Sequence, residues 1–398
     1  MQEFDIVVSG GGVAGLTAAA VFGTAGFSVL CVAPSPPITT REAPGSDLRT
    51  TAFLQPAQAL LDRAGLWARL APFAADLQVM RIVDAGGVTP EPRITKEFDA
   101  SDISDQPFGW NLPNWLLRRE MVAHLESLPG VTFRPGTGTT TLFTREAEAR
   151  VGLSDGTRVR ARLVIAADGR NSPIREAAKI GVKTTHYGQK ALAFAVTHPI
   201  PHGNVSTEIH RSGGPFTLVP LPDHEGRPSS AVVWMEQGPE VVRLAALPEA
   251  DFEAEMNARS CHLFGPLTLA SRRTVWPIIS QIAERLYGER VALVAEAAHV
   301  VPPIGAQGLN MSLGDMRVLL ELAEAAPDQL GDRAMLETYH RRRHLEIKAR
   351  VKGIDLLNRA SMMRARPLRD ARAMGLNAIY SLAPVRKTLM QLGLGARG

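Results

Sequence analysis

Residues 5–33, DIVVSGGGVAGLTAAAVFGTAGFSVLCVA, lay out strand, glycine turn, helix and strand in one unbroken run. Residues 5–8 form a short β-rich apolar run. A glycine cluster follows, then a helical pattern, then a second apolar run at 29–32. The glycines fall as G-x-G-x-x-G at Gly10, Gly12 and Gly15, with Val13 and Ala14 at the expected helix start. Ala19 and Gly26 continue the wider spacing. Gly10 suits the tight turn out of the strand, Gly12 lets backbone approach a pyrophosphate, and Gly15 lets helix pack closely on strand. The helix N-terminus then offers unpaired N–H groups and its positive dipole end to phosphates. A strand–turn–helix–strand unit with these glycines predicts a dinucleotide site. One part of that pattern is absent: the second strand ends Val32-Ala33-Pro34, without the carboxylate that usually holds the ribose.

The chain has 398 residues, enough for two lobes or one large α/β domain with an inserted sheet. A formal net charge of +4 is too weak to argue for nucleic acid as a partner. The two cysteines, Cys31 and Cys261, have no metal or redox spacing and read as reduced thiols of a cytoplasmic protein. No leader-like stretch precedes the first strand, and no apolar run has the length of a membrane span, so the expectation is a soluble or peripheral protein. The oligomeric state is left open.

After a Pro/Thr-rich loop at 35–46, residues 47–70 show helical spacing of Leu60, Leu61, Leu66 and Leu70, with Asp47 to Thr51 read as the polar helix start. Arg49 there is either a plain surface residue or a cation beside a phosphate or ring. Residues 78–85 and 109–112 read as strands bracketing a loop, and 117–128, opening on Arg118, as an amphipathic helix. Residues 131–133, 140–143, 149–153 and 158–164 read as a β-meander around the Asp155-Gly156 turn. A buried strand at 163–167 then delivers Asp168-Gly169, where α/β sheets place ligand groups. A capping Asp with a turn glycine is the plainer reading. From 184 to 275, short alternating strands predict an antiparallel sheet. The histidines at 186, 198, 202, 210 and 224 show no ligand spacing and read as solvent-facing or core-satisfied, so no metal is expected. A buried strand at 291–295 leads through Pro302, Pro303 and Gly305 into Ala306-Gln307-Gly308-Leu309-Asn310 and a long helix, a second glycine-rich loop feeding a helix start. Residues 338–398 are helical and basic, with an amphipathic stretch at 374–394 that suits either packing on its own domain or docking on an anionic membrane or a partner.

Three blocks in this order resemble the class A FAD-dependent aromatic monooxygenases: the Gly10/Gly12/Gly15 fingerprint, Asp168-Gly169 after a strand, and the late Ala–His–Pro–Gly–Gln–Gly–Leu–Asn block. Together they span the chain. DLRTTAF, PPIGAQGLNMSLGDM and the basic tail look most like the ubiquinone-biosynthesis hydroxylases of the UbiH/UbiF/VisC group. The resemblance implies an α/β fold: a discontinuous Rossmann-like FAD-binding domain (1–75, 106–180, 276–340), an inserted antiparallel substrate-binding sheet (76–105, 181–275) and a C-terminal helical tail (341–398).

The same resemblance implies FAD as cofactor and NADH or NADPH as electron donor. Oxygen from O₂ would pass through a flavin C4a-hydroperoxide to the ring of a polyprenyl phenol in ubiquinone biosynthesis. Gly10, Gly12, Val13, Ala14 and Gly15 would hold the pyrophosphate, and Arg49 and Arg118 would lie near the flavin. Asp168 and Gly169 would serve FAD and the visiting nicotinamide. Pro303, Gly305, Gln307, Gly308, Leu309 and Asn310 would face the flavin pyrimidine edge. Arg49, His299 and Gln307 are the catalytic candidates, His299 as a possible base. The family usually has Gly-Asp where this chain has Ala295-Glu296. Glu296 keeps the charge that would bind the ribityl chain, but adds a methylene. Two alternatives remain: a hydroxylase of a small soluble phenol or polycyclic natural product, and a flavin-poor scaffold subunit of a biosynthetic complex at a membrane surface.

Overall fold

The computed structural model describes residues 1–395; the last three residues of the expected basic tail, 396–398, lie outside the described residues. Strand β1 (Gln2–Ser9), helix α1 (Val13–Thr24) and strand β2 (Val29–Ala33) form the opening unit. Five strands run parallel in the order Val291–Leu293, Arg158–Ala166, β1, β2, Val131–Pro135. Val8 lies opposite both Ile165 and Cys31. Parallel strands are covered on both faces, which is why the central segments, residues 6–8, 29–33, 163–166 and 291–293, are unbroken apolar runs rather than alternating ones. α1 is apolar almost all round because it is packed between the sheet and the helices Asn114–Glu126 and Gln307–Ala325. Its Leu16 and Phe22 are fully buried, each stabilising the fold by about 1.5–3 kcal/mol. Cys31 is sealed in this core and burial pushes its thiol up to about 12, so it is an inert packing residue.

A nine-stranded sheet is built mainly from the middle of the chain. Its long strands Val182–Thr197, Arg227–Gln237 and Pro215–His224 are antiparallel neighbours, extended through Val205–His210 to Val79–Asp84 and Ile94–Asp99. Residues such as Phe194, Ile209, Phe216 and Trp234 point to one face and pack in a core with Val241, Leu244 and Phe252 from helices Gly238–Ala246 and Glu249–Arg259. The alternation of strand side chains leaves the other face turned to the first domain's strand ends. Three helices, Arg333–Ser361, Arg366–Ser381 and Ala383–Leu394, complete the chain.

Four expectations on the elements are corrected. The helix expected to open at Asp47 starts only at Gln55, because Thr50–Leu54 is a strand paired with Gly109–Pro113. Thr50, Thr51 and Phe53 favour a pleated surface, and Pro56 suits a helix's first turn. Residues 131–133 leave the expected meander: Val131–Pro135 pairs in parallel with β2, while Thr139–Thr144, Ala149–Leu153 and Arg158–Ala166 form the antiparallel part. The loop between residues 85 and 109 contains an unforeseen strand, Ile94–Asp99. The amphipathic stretch 374–394 is broken at Leu382, because Pro384 opens a new helix.

Candidate active site

Three parallel strands, β1, Arg158–Ala166 and Val291–Leu293, end beside one cavity of about 2130 Å³, which lies between them, the nine-stranded sheet and the C-terminal helices. Convergence of strand carboxyl ends is where open α/β sheets bind ligands. Typical small-molecule pockets are about 300–1,000 Å³. This cavity has room for more than one ligand.

The glycine loop sits at the cavity's edge with a division of labour among its glycines. A Cβ at Gly10 (φ +124°) would lie 2.2 Å from the carbonyl oxygen of Ala167, and one at Gly15 would lie 1.9 Å from that of Gly10. Those two glycines let turn, strand and helix touch. A Cβ at Gly12 would meet nothing within 4 Å, because Gly12 faces open cavity. Gly12 is also the N-cap of α1, with no side-chain cap and no acidic residue in the first turn. The first N–H groups and the dipole therefore remain available to an anion. Gly10, Gly12, Val13 and Ala14 line the cavity, whereas Gly15 lies behind it. Ala33 lines it where a ribose-binding carboxylate was missed in the sequence.

Asp168 and Gly169 (φ +88°) lie at the next strand end. Oδ2 of Asp168 accepts the N–H of Ile174 at 3.2 Å, while Oδ1 is buried with no hydrogen-bond partner among the described residues. Burial raises the Asp168 carboxyl above its ordinary value, against the opposing pull of Ser172, Ile174 and Arg175. The cap of the short helix Pro173–Ala177 is Ser172 rather than Asp168. A buried, half-satisfied carboxyl beside a glycine at a strand end is suited to accept a ligand hydroxyl.

Arg49 lines the cavity and is held on two sides. Its Nε and Nη2 donate to the two oxygens of Asp47, each at 2.8 Å, and its guanidinium lies 4.1 Å from the Trp276 ring centroid. Asn114 and Arg118 also reach Asp47, at 3.1 and 3.3 Å. Burial works against ionisation of Asp47, but these partners more than offset it and hold the carboxyl below its usual range. Arg118 lines the same cavity, with a buried Nε that has no partner among the described residues.

The late glycine loop feeds a second uncapped helix start. Gly305 (φ +62°) and Ala306 (φ +56°) are both left-handed, and Ala306 is the N-cap of Gln307–Ala325, without a side-chain cap or an acidic first turn. Pro303, Gly305, Gln307, Gly308 and Leu309 line the cavity. Asn310 does not: its amide donates to Ala52 and Ala306 and accepts from the N–H of Leu54, tying the helix to the Thr50–Leu54 strand. The side chain of Gln307 reaches away toward the C-terminal helices, donating to the Gly393 carbonyl at 3.0 Å and accepting from Arg350 at 2.8 Å. Ala295 is left-handed (φ +54°), the conformation for which glycine is the natural residue. Glu296 lines the cavity half-exposed, 3.9 Å from Arg170. His299 also borders the cavity, yet its Nε2 lies 2.7 Å from Asp315 and its Nδ1 is buried.

Sequence reasoning missed two further features. Asp84 receives Arg93 and Arg372, the latter from helix Arg366–Ser381, so the C-terminal helices are ionically fastened to the nine-stranded sheet. Glu208 and His210 line the cavity as a contacting pair, which departs from the reading of His210 as solvent-facing or core-satisfied. Their i, i+2 spacing on a strand was the available signal. His198 does fit that reading: it is fully buried, with Nδ1 and Nε2 at 2.8 and 2.9 Å from Ile200 O and Ser230 Oγ.

A family model described as the FAD binding domain matches residues 3–353. The chain belongs to this flavoprotein family. A ubiquinone hydroxylase, UbiL, of Rhodospirillum rubrum is 32% identical over 394 residues, covering 98% of this chain and 89% of the relative. The 3-demethoxyubiquinol 3-hydroxylase of Escherichia coli is 25% identical over 399 residues, covering 99% of each. Among solved structures, the p-nitrophenol 4-monooxygenase PnpA of Pseudomonas putida superposes with TM-score 0.79 at 19% identity, covering both chains fully. PqsL of Pseudomonas aeruginosa does so with TM-score 0.78 at 20% identity, over 92% of this chain and 99% of that one. The flavoprotein is thus a FAD-dependent monooxygenase of the class A aromatic type, with the α/β fold expected of it. The uncapped helix starts and the open space at Gly12 fit FAD. Among the described residues no helix is long and apolar enough to cross a membrane.

Proposed function

We propose that this flavoprotein hydroxylates the aromatic ring of a polyprenylated phenol in ubiquinone biosynthesis, using NADH or NADPH. The observation that carries the reading is the cavity's far wall. Beyond the two glycine cradles it is bounded by the C-terminal helices, whose Leu376, Ile379, Leu389, Met390 and Leu392 make an apolar lining suited to an isoprenoid chain. The names of the relatives in Rhodospirillum and Escherichia point to the same substrate class.

FAD bound across the cradles would supply the oxygen-transfer chemistry, with a nicotinamide as reductant and O₂ as oxygen source. The chain's own groups bind, orient and exclude water. The N–H groups at Gly12–Val13–Ala14 hold the pyrophosphate, and Asp168 and Glu296 accept hydroxyls of the sugar and ribityl portions. The helix start at Gly308 and Leu309 places positive potential at the ring's pyrimidine edge. Arg49, fixed by Asp47 and Trp276, sets a cation over the cavity without leaving it mobile. His299 is assigned to positioning, since Asp315 occupies its outer nitrogen. Gln307 acts likewise, as a latch on the C-terminal helices. In this reading the cofactor part comprises 1–75, 106–180 and 276–340, and 76–105 with 181–275 roofs the substrate.

The tail gives the reading a membrane side. Leu357, Leu368, Ile379, Leu389 and Leu392 line the cavity and are also exposed, so they form its rim. Arg359 and Lys387 stand exposed on these C-terminal helices, and Arg364 on the connection between two of them. A basic, apolar-rimmed mouth suits an anionic lipid surface from which a prenyl chain is drawn. Sedimentation with anionic vesicles, absent with neutral ones, checks this.

The deciding experiment profiles quinone intermediates in cells lacking ring hydroxylases, with and without this gene. Conversion of an under-hydroxylated prenylphenol to its hydroxylated product supports the proposal. An unchanged profile with stoichiometric FAD on the purified protein favours a soluble phenol as substrate. No change and no FAD favours the scaffold alternative.

A further inference from the structure

We propose that Glu208, held by His210, selects the substrate ring: it accepts a neutral ring hydroxyl and turns away rings that bear a carboxylate. The inference rests on the aromatic-hydroxylase reading above and deepens it.

In Val205–His210, Thr207 and Ile209 are buried on the side packed under the Gly238–Ala246 and Glu249–Arg259 helices, so Ser206, Glu208 and His210 face the cavity. Register then sets their neighbours. Glu208 lies opposite Ile82 on one side and Thr217 on the other, Thr217 lies opposite Val233, and Val233 opposite Ala193. This transverse row of five cavity-lining residues crosses the roof with one charge in it.

The other carboxylate on this part of the roof is spent. Asp84 receives the N–H of Gly86 and Arg93 on Oδ1, and Arg372 on Oδ2. Arg93 also pairs with Asp370 at 2.6 Å, so the two arginines are matched by two carboxylates. Glu208 is different: its polar partner is the imidazole of His210, with Nε2 2.7 Å from Oε1 and both side chains 15% exposed. Among the described residues no arginine, lysine or backbone N–H reaches its carboxylate. A carboxylate against apolar surroundings is stabilised by any donor that enters the cavity. A phenolic O–H would meet it in a short, charge-assisted hydrogen bond.

Two consequences follow for the ring. The proton stays on the ring oxygen on binding, because a carboxylate is a far weaker base than a phenolate. The hydrogen bond nevertheless pushes electron density into the ring, which is what electrophilic oxygen transfer requires. A ring carboxylate placed at the same point would face like charge. The roof therefore accepts phenols without a ring acid group, so the reaction supplying this substrate must leave a ring from which any carboxylate is absent or already removed.

The test uses the holoenzyme and two probes, an alkylphenol and the corresponding alkylphenol bearing a ring carboxylate. Affinity for each is read from the change in flavin absorbance on titration, and coupled NAD(P)H oxidation separates kcat from KM. The wild type is expected to favour the plain phenol by about tenfold or more, the scale of one charge-assisted hydrogen bond. Glu208→Gln should collapse that ratio by about tenfold while keeping FAD content and melting temperature, and Glu208→Asp should restore part of it. An unchanged ratio in folded, FAD-loaded Glu208→Gln overturns the proposal, as does equal affinity of the wild type for both probes. Should Glu208→Gln fail to fold, the Glu208→Asp ratio and the wild-type ratio decide. A clear ratio with no change in the cellular quinone profile would sink the ubiquinone reading and leave Glu208's role standing; the reverse result would do the opposite.

Discussion

His299 Nε2 and Asp315 Oδ2 are 2.7 Å apart, with both side chains sealed from solvent. Arg343 donates to the other oxygen of Asp315 at 2.8 Å. The carboxylate thus joins three elements: the His299–Val300 strand, the Gln307–Ala325 helix and the Arg333–Ser361 helix. Burial alone would raise the Asp315 carboxyl, but His299 and Arg343 more than offset it and hold it below its ordinary value.

A depressed carboxyl contributes stability that is present above the unfolded-state pKa, about 3.9, and lost as pH falls through the folded value. Resistance of the wild type to urea unfolding should therefore fall below about pH 4. Asp315→Asn should flatten part of that acid slope and cost about 1–3 kcal/mol at neutral pH, because Arg343 loses its fully buried carboxylate partner and keeps only the more exposed Glu346. Equal stability of the two proteins at neutral pH would refute the role given to this pair.

The glycines of the first loop should separate folding from binding. Gly12→Asp enters open space, so the melting temperature should hold while FAD affinity falls by more than about a hundredfold, from crowding and repulsion of the pyrophosphate. Gly15→Ala, against the Gly10 carbonyl, should destabilise the protein by about 1–3 kcal/mol. Calorimetry with FAD titration distinguishes them. Stoichiometric FAD on Gly12→Asp would count against the cradle.

Ala295→Gly should stabilise. The alanine sits at φ +54°, where a Cβ costs roughly 1–2 kcal/mol that glycine avoids. Part of that gain is cancelled by glycine's larger unfolded-state entropy. A rise of a few degrees in melting temperature is expected, and a fall would show that the Ala295 methyl is a packing contact rather than a strained one.

Gln307 and Arg350 should govern access to the cavity. Gln307→Ala removes both the bond to Gly393 and the partner of Arg350, so the Ala383–Leu394 helix should be cleaved faster by a protease at low dose. Wild-type rates of cleavage would show that the helix is held by its apolar face instead.

The parallel sheet, the glycine turn at Gly10 and Gly12, the Asp168-Gly169 strand end and the second loop at Gly305 are legible from residue order, because each is a local pattern of strand, turn and helix start. Ala295 and Ala33 stand out there too, since those positions lie within motifs of fixed spacing. Which side chains meet is set by the folded chain. Asp84 joins Arg372 across 288 positions, Asn310 is drawn to Leu54, Gln307 turns to Gly393, and His299 gives its outer nitrogen to Asp315. Glu208 emerged as the roof carboxylate without an arginine or lysine partner among the described residues only once register set it between Ile82 and Thr217, with Arg93 and Arg372 held on Asp84. Local periodicity states which face a residue occupies, whereas the partner across that face comes from another element, 16 positions away for Asp315 and 288 for Arg372.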